Sequence, residues 1–234
     1  MFHIFTKAAL GRMRLKGLLL AALLAAPPVA GVEQEARVRG DPRDAWQRPA
    51  EVLDALGVRE GSVVADVGCG RGYFTAHLAR RVGPEGVVYA VDIDEAALAA
   101  VTRLVERNPA WRGRVRLVRS QPDDPRLPTG RLDVVLIVDT YHEFRTPDAM
   151  LEKIFAALKP GGRVGIIDRA AEPGQSRSVY RRRHRIPKEI VVREATRHNF
   201  ILLREAPGFT RPRRKIPMYF LVFQKPARRA GGQD

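Results

Sequence analysis

Residues 63–74 read V-V-A-D-V-G-C-G-R-G-Y-F. An apolar run ends at an acid, Asp66, and three glycines follow at alternate positions: Gly68, Gly70 and Gly72. The β-branched Val63, Val64 and Val67 suit a strand. Glycines after it let the backbone turn sharply and bring bare main chain against a ligand. Tyr73, Phe74, His77 and Leu78 then open a helix. Strand, tight Gly-rich loop and helix, in that order, place a nucleotide-type cofactor at the carboxyl end of a first strand.

The dinucleotide fingerprint G-x-G-x-x-G seats a pyrophosphate on a helix N-terminus. Counted from Gly68, its final position is Tyr73, and a count from Gly70 fails as well. What stands here is D-x-G-x-G-x-G, and in it the chain resembles the class I S-adenosylmethionine (SAM) methyltransferases. SAM carries a sulfonium and an amino-acid end instead of a phosphate, so an acid before the loop is chemically apt. The resemblance implies that Asp66, Gly68, Gly70 and Gly72 belong to a SAM site. Cys69, the chain's one cysteine, lies inside the loop and reads as a small filler, with no intramolecular disulfide available.

Residues 86–91 form a second strand-like run, G-V-V-Y-A-V, ending in Asp92-Ile93-Asp94. A carboxylate about 20 residues beyond the glycine loop is placed to take both ribose hydroxyls. Asp92 is expected in that role, with Ile93 beside it in the cofactor site, or else as a plain helix cap; Asp94 is expected to cap the helix at 95–107.

From residue 48 the order is regular. Helices are expected at 48–56, 73–81, 95–107, 147–158 and 187–198, and strands at 63–67, 86–91, 114–118, 132–138, 163–167, 200–205 and 216–223. The run L-D-V-V-L-I-V at 132–138 is that of a strand buried on both faces. Alternating strand and helix implies a parallel sheet, and the last two strands, joined by a Pro/Gly/Arg-rich loop, imply an antiparallel hairpin. The expected fold is α/β: a Rossmann-like, doubly wound, seven-stranded sheet, mostly parallel with an antiparallel C-terminal hairpin. The resemblance implies the strand order 3-2-1-4-5-7-6. It covers nearly all of residues 48–225 and includes an L-K-P-G-G turn at 158–162, a fold marker. Residues 121–133 resemble the D-x-x-x-L-P…D segment of ubiquinone-biosynthesis-type methyltransferases, which implies that Asp123 meets the adenine amino group; the alternative is a connecting loop with capping aspartates.

At the end of the fourth strand stands D-T-Y-H-E-F, residues 139–144. Ligands bind at that edge of open α/β sheets, so these residues are expected to border the methyl acceptor. His142 has the pKa class for a general base, with Tyr141 and Glu143 behind it. The other reading of His142 is a ring that lines the pocket or holds a loop carbonyl. Metal ligation by Asp139 and Asp168, as in catechol-type O-methyltransferases, is disfavoured by the cation Arg169, and no metal is expected.

The first 31 residues look like a signal peptide or membrane anchor: Lys7, Arg12, Arg14 and Lys16 precede an apolar run at 17–26, and Pro27, Pro28 and small residues follow. Residues 32–47 read as a linker, 48–225 as the methyltransferase domain and 226–234 as a disordered tail. The leader points to an exported, periplasmic or inner-membrane-anchored protein, with contact to the membrane through the leader; the alternative location is the cytoplasm. Net charge is +15, with arginine-rich clusters at 181–185 and at Arg211, Arg213, Arg214 and Lys215. They read as a solvated face, or as an RNA or membrane contact. The expected activity is SAM-dependent methylation of a small molecule. Its rivals are an RNA methyltransferase, a SAM-fold protein that binds without turnover, and an NAD-dependent oxidoreductase, which Tyr73 disfavours.

Overall fold

A computed structural model describes residues 41–211 and 215–227. Seven strands form one sheet: β1 (Val63–Val67), β2 (Val87–Asp92), β3 (Val115–Arg119), β4 (Leu132–Val138), β5 (Leu158–Arg169), β6 (Ile201–Arg211) and β7 (Ile216–Gln224). Their order is β3-β2-β1-β4-β5-β7-β6. β1 pairs in parallel with β2 and β4, β2 with β3, and β4 with β5. β7 is antiparallel to both β5 and β6. The expected architecture and strand order are therefore borne out.

Side-chain alternation along the strands splits the core between the two faces. On β4, Val134 and Leu136 pack with α2 (Pro49–Leu56), α3 (Tyr73–Arg81) and α4 (Glu95–Glu106), through residues such as Leu53, Leu78 and Val101. Val135 and Ile137 point the other way, into a cluster with Leu151 and Ile154 of α5 (Pro147–Ala157) and Val191 of α7 (Lys188–Arg197). Cover on both faces explains why β4 is apolar at nearly every position. Gly165 on β5 lets α2 approach closely, since a Cβ there would stand 2.8 Å from the Leu56 methyls.

Several boundaries differ from the sequence expectation. β5 begins at Leu158, because that residue already pairs with Leu132, and residues 159–162 bulge out before Arg163 resumes the ladder against Val134. Residues 41–47, expected as linker, carry the helical turn α1 (Asp44–Gln47), whose Asp44 accepts a 2.6 Å hydrogen bond from Tyr73 at the start of α3. The basic stretch between β5 and α7 contains α6 (Arg177–Arg182), anchored by the buried Tyr180. The tyrosine hydroxyl donates to the Glu172 carbonyl and accepts from the Gln175 amide. A six-residue helix held by one aromatic has too little periodicity to be read from sequence.

The localisation drawn from the sequence needs correction. Against a membrane-anchored placement, no helix among the described residues is long and apolar enough to cross a membrane. The leader at 1–31, the start of the linker, Arg213 and Arg214 of the second arginine cluster, and the tail beyond 227 lie outside the described residues.

Leu136 is fully buried at the centre of the sheet. Leu136→Ala is expected to lower unfolding free energy by about 2–5 kcal/mol in a urea titration, from lost transfer energy plus the cavity left behind.

Candidate cofactor and acceptor cleft

A cleft of about 540 Å³ opens at the carboxyl ends of β1, β2, β3 and β4. The sheet order makes that place: β1 lies between β2 and β4, so the connections leaving β1 and β4 depart in opposite directions and leave a crevice. A second cleft of about 520 Å³ lies at the amino ends of the strands, around Arg59, Lys159 and Arg163, the wrong edge of a parallel sheet for this chemistry.

The glycine loop forms one wall. Gly68 has φ of +75°, and a Cβ on it would stand 2.2 Å from the Thr140 methyl, so only glycine fits against the tip of β4. Gly70, φ +53°, has nothing within 4 Å of where its Cβ would be, which leaves bare backbone toward open space. Its N–H donates to Asp92 Oδ2 at 2.8 Å. The other oxygen of Asp92 accepts from the Asp94 N–H at 3.0 Å. One carboxylate thus ties the tip of β2 to the glycine loop. Asp94 caps α4 as expected, accepting from the Ala96 N–H.

Of the cofactor residues expected from sequence, Gly68, Asp92 and Ile93 line the cleft. Asp66 does not. It is buried under the loop and accepts a 2.7 Å hydrogen bond from the Thr75 hydroxyl of α3. Burial pushes its carboxyl up to about 6, opposed by the Thr75 hydrogen bond and helped by the nearby charge of Asp92. Gly72 serves as the N-cap of α3. Asp123 is exposed in the turn closed by the bridge between Gln121 and Asp124, and Gln121 and Pro122 face the cleft instead. Burial pushes the Cys69 thiol well up, out of the range of a reactive thiolate.

His142 also turns away from the cleft. It is 1% exposed. Its backbone N–H donates to Asp168 Oδ2 at 2.9 Å, and its Nδ1 stands 2.8 Å from Asp168 Oδ1. Nε2 faces Glu143 Oε1 at 3.1 Å. Burial works against a charged ring, yet the hydrogen bond and charge of Asp168, then Glu143 and Asp139, hold its pKa above the usual imidazole value. Asp139 pairs with Arg169 at 2.5 Å. The cation that disfavoured a metal at Asp139 and Asp168 therefore sits on one of those two carboxylates.

Thr140, Glu143, Phe144, Arg145 and Met150 form the cleft wall opposite the glycines. Thr140, Glu143 and Phe144 belong to the stretch expected to border the acceptor; Arg145 and Met150 were not singled out from sequence. The topological rule marks the strand end but does not say which side chains of the following turn point inward. That turn is held from below: Tyr141 donates to Glu194 at 2.7 Å, and Arg177 of α6 pairs with the same carboxylate at 2.6 Å while donating to the Phe144 carbonyl at 2.9 Å.

A seven-stranded sheet in this order, with a glycine loop and a carboxylate at adjacent strand tips, has the form of a class I methyltransferase fold. Residues 64–162 match the family model described as a methyltransferase domain. The chain is 36% identical over 123 residues to the ubiquinone/menaquinone biosynthesis C-methyltransferase UbiE of Idiomarina loihiensis, covering 53% of this chain and 48% of that one. It spans about half the length of the curated relatives it matches. A SAM-dependent methyltransferase from Aquifex aeolicus superposes with a TM-score of 0.63 at 22% identity, covering 81% of this chain and 97% of that one. The Burkholderia thailandensis 1,6-didemethyltoxoflavin-N1-methyltransferase superposes at 0.61 with 23% identity, over 87% and 93%. These two likenesses bear on the fold alone. The domain match and the fold agree in giving residues 64–162 the likeness to a methyltransferase domain that the motif predicts.

Asp66 makes stability depend on pH in an unusual direction. Below about pH 4 its carboxyl is neutral in both states; between about pH 4 and 6 the folded chain keeps a proton that the unfolded chain has lost. Stability therefore falls as pH rises across that window, by about 3 kcal/mol in all. Asp66→Asn keeps an acceptor for Thr75 and removes the titration. Its stability relative to the parent, from denaturant melts, is expected to rise from near parity at pH 4 to a clear advantage at pH 7.

Proposed function

We propose that this chain transfers the methyl group of SAM to a small organic acceptor held in the cleft. The observation that carries the reading is the Asp92 carboxylate, which lines the cleft and fixes the Gly70 amide beside it. Such a pair suits an adenosyl ligand: acid for the sugar hydroxyls, bare main chain for the rest. Gly68 and Ile93 complete that half, and Gln121 and Pro122 stand where the adenine edge would come. Asp66 acts at one remove, through the Thr75 hydrogen bond that ties β1 to α3, and Asp123 stands in the exposed turn beside Gln121 and Pro122.

The other half of the cleft receives the acceptor. Phe144 and Met150 suit an apolar or planar body, and Glu143 and Arg145 offer polar anchors. The kinship with an enzyme named for ubiquinone and menaquinone biosynthesis points toward an acceptor of quinone-precursor type. Methyl transfer is an in-line displacement: the acceptor atom bonds to the methyl carbon, the carbon–sulfur bond breaks, and S-adenosylhomocysteine leaves with the electron pair. The protein's main work is alignment. His142 fits a positioning role here, since both its ring nitrogens face carboxylates.

That same observation favours a second reading, in which the fold binds SAM without transfer. Incubating labelled SAM with a panel of phenolic and quinol acceptors separates the two, because only the first produces S-adenosylhomocysteine and a labelled product.

Asp92→Ala is expected to weaken SAM binding at least tenfold by titration calorimetry while the melting transition persists. Unchanged SAM affinity in the variant, or parent protein that binds NADH and ignores SAM, would sink the assignment.

A further inference from the structure

Beside the cleft stands a group of side chains whose mutual arrangement methyl transfer does not by itself explain. His142 Nε2 lies 3.1 Å from Glu143 Oε1, and His184 Nδ1 lies 2.7 Å from the same oxygen. The three donor atoms fall within 4.8 Å of one another. They come from two distant parts of the chain. His142 and Glu143 follow β4, while His184 follows α6, the short helix anchored by Tyr180 and by Arg177. The two imidazoles meet edge to face, with centroids 5.5 Å apart.

The orientation of His142 is set from behind. Its Nδ1 faces Asp168, a fully buried carboxylate that also accepts the backbone N–H groups of His142 and Arg169. A carboxylate that accepts at Nδ1 holds a hydrogen there and leaves Nε2 as the ring atom available to a ligand. A carboxylate on the far nitrogen is the usual support behind a metal-binding imidazole. A cation that binds between Nε2 and the Glu143 oxygen takes the place of the proton that otherwise bridges them.

We propose that His142, Glu143 and His184 bind one divalent cation of the zinc class at the rim of the cleft. Two imidazoles and a carboxylate are the donor set that borderline metals prefer, and three protein ligands leave a position open. The charge closes well: the cation is offset by Glu143 and by Asp168 behind His142. Tetrahedral zinc sets its donors about 3.3 Å apart, so the 2.7 Å between His184 Nδ1 and the Glu143 oxygen has to widen by about half an ångström while the two imidazole nitrogens, within 4.8 Å of each other, settle at the same spacing. The His184 side chain is 59% exposed and has the room. The neighbouring trio of Asp139, His142 and Asp168 is the poorer site, because Asp139 is paired with Arg169 and Asp168 is spent on His142. Glu143 lines the cleft, so the open position would face an oxygen-bearing acceptor; that last point rests on the methyl-transfer reading, whereas cation binding does not.

The test uses the full, tag-free chain, stripped with chelator and titrated with Co²⁺ alone, without SAM. The expected result is one equivalent bound with visible d–d absorption, displaced by Zn²⁺ and not by Mg²⁺. His184→Ala and Glu143→Gln, both at exposed positions, are expected to lose at least tenfold in affinity with far-UV dichroism unchanged. No cobalt spectrum, or a spectrum that both variants retain, overturns the site. Because SAM is absent from the measurement, failure here leaves the methyl-transfer reading standing, and failure of SAM binding leaves this one.

Discussion

Two strand tips meet where one of them has no side chain. Gly68 at the end of β1 occupies a place that the Thr140 side chain, beyond β4, fills from the other side; a single methyl on Gly68 would overlap it. Thr140 is itself held by its hydroxyl, which donates to the Val138 carbonyl at 2.9 Å. This close approach keeps the sheet packed up to the line where the chain reverses its direction of winding. The crevice opens there because the connections diverge, and Asp92 closes its near side by holding the Gly70 amide. Moving either tip would leave a gap in the sheet or a blocked cleft.

The far side of the cleft rests on buried charge. Asp168 on β5 is fully buried and gives its oxygens to two backbone N–H groups and one imidazole. Arg169 reaches across to Asp139, which holds a positive φ of 55° at the end of β4. Glu194 on α7 joins Tyr141 to Arg177. A buried charge without a partner is costly, so each of these groups constrains the others. Together they fix the turn after β4 and draw the basic segment over it, which brings His184 to Glu143.

Much of the sheet was legible from local pattern, because buried strands must be apolar and β-branched. L-D-V-V-L-I-V cannot be confused with a surface segment. The glycine loop was legible too, since alternate glycines after an acid have few other uses. The arginine-rich stretch before α7 was harder. It reads as a polar connection, yet Tyr180 and Arg177 fold it into a helix. Asp123 was named where Gln121 and Pro122 face the cleft, because a turn of four residues points its side chains by its dihedral angles, and composition does not report those.

The chain's order of residues was enough to determine a doubly wound sheet, a main-chain cradle after the first strand and an acid at the tip of the second, since each follows from contacts between residues near one another in sequence. Only the tertiary structure decided which polar side chains look into the cleft. Asp66 is drawn down by Thr75 and His142 is drawn back by Asp168, 26 residues away on the next strand. Direction of that kind depends on partners that the linear pattern does not bring together; it is settled when the strands align and each buried polar atom takes the hydrogen bond within reach.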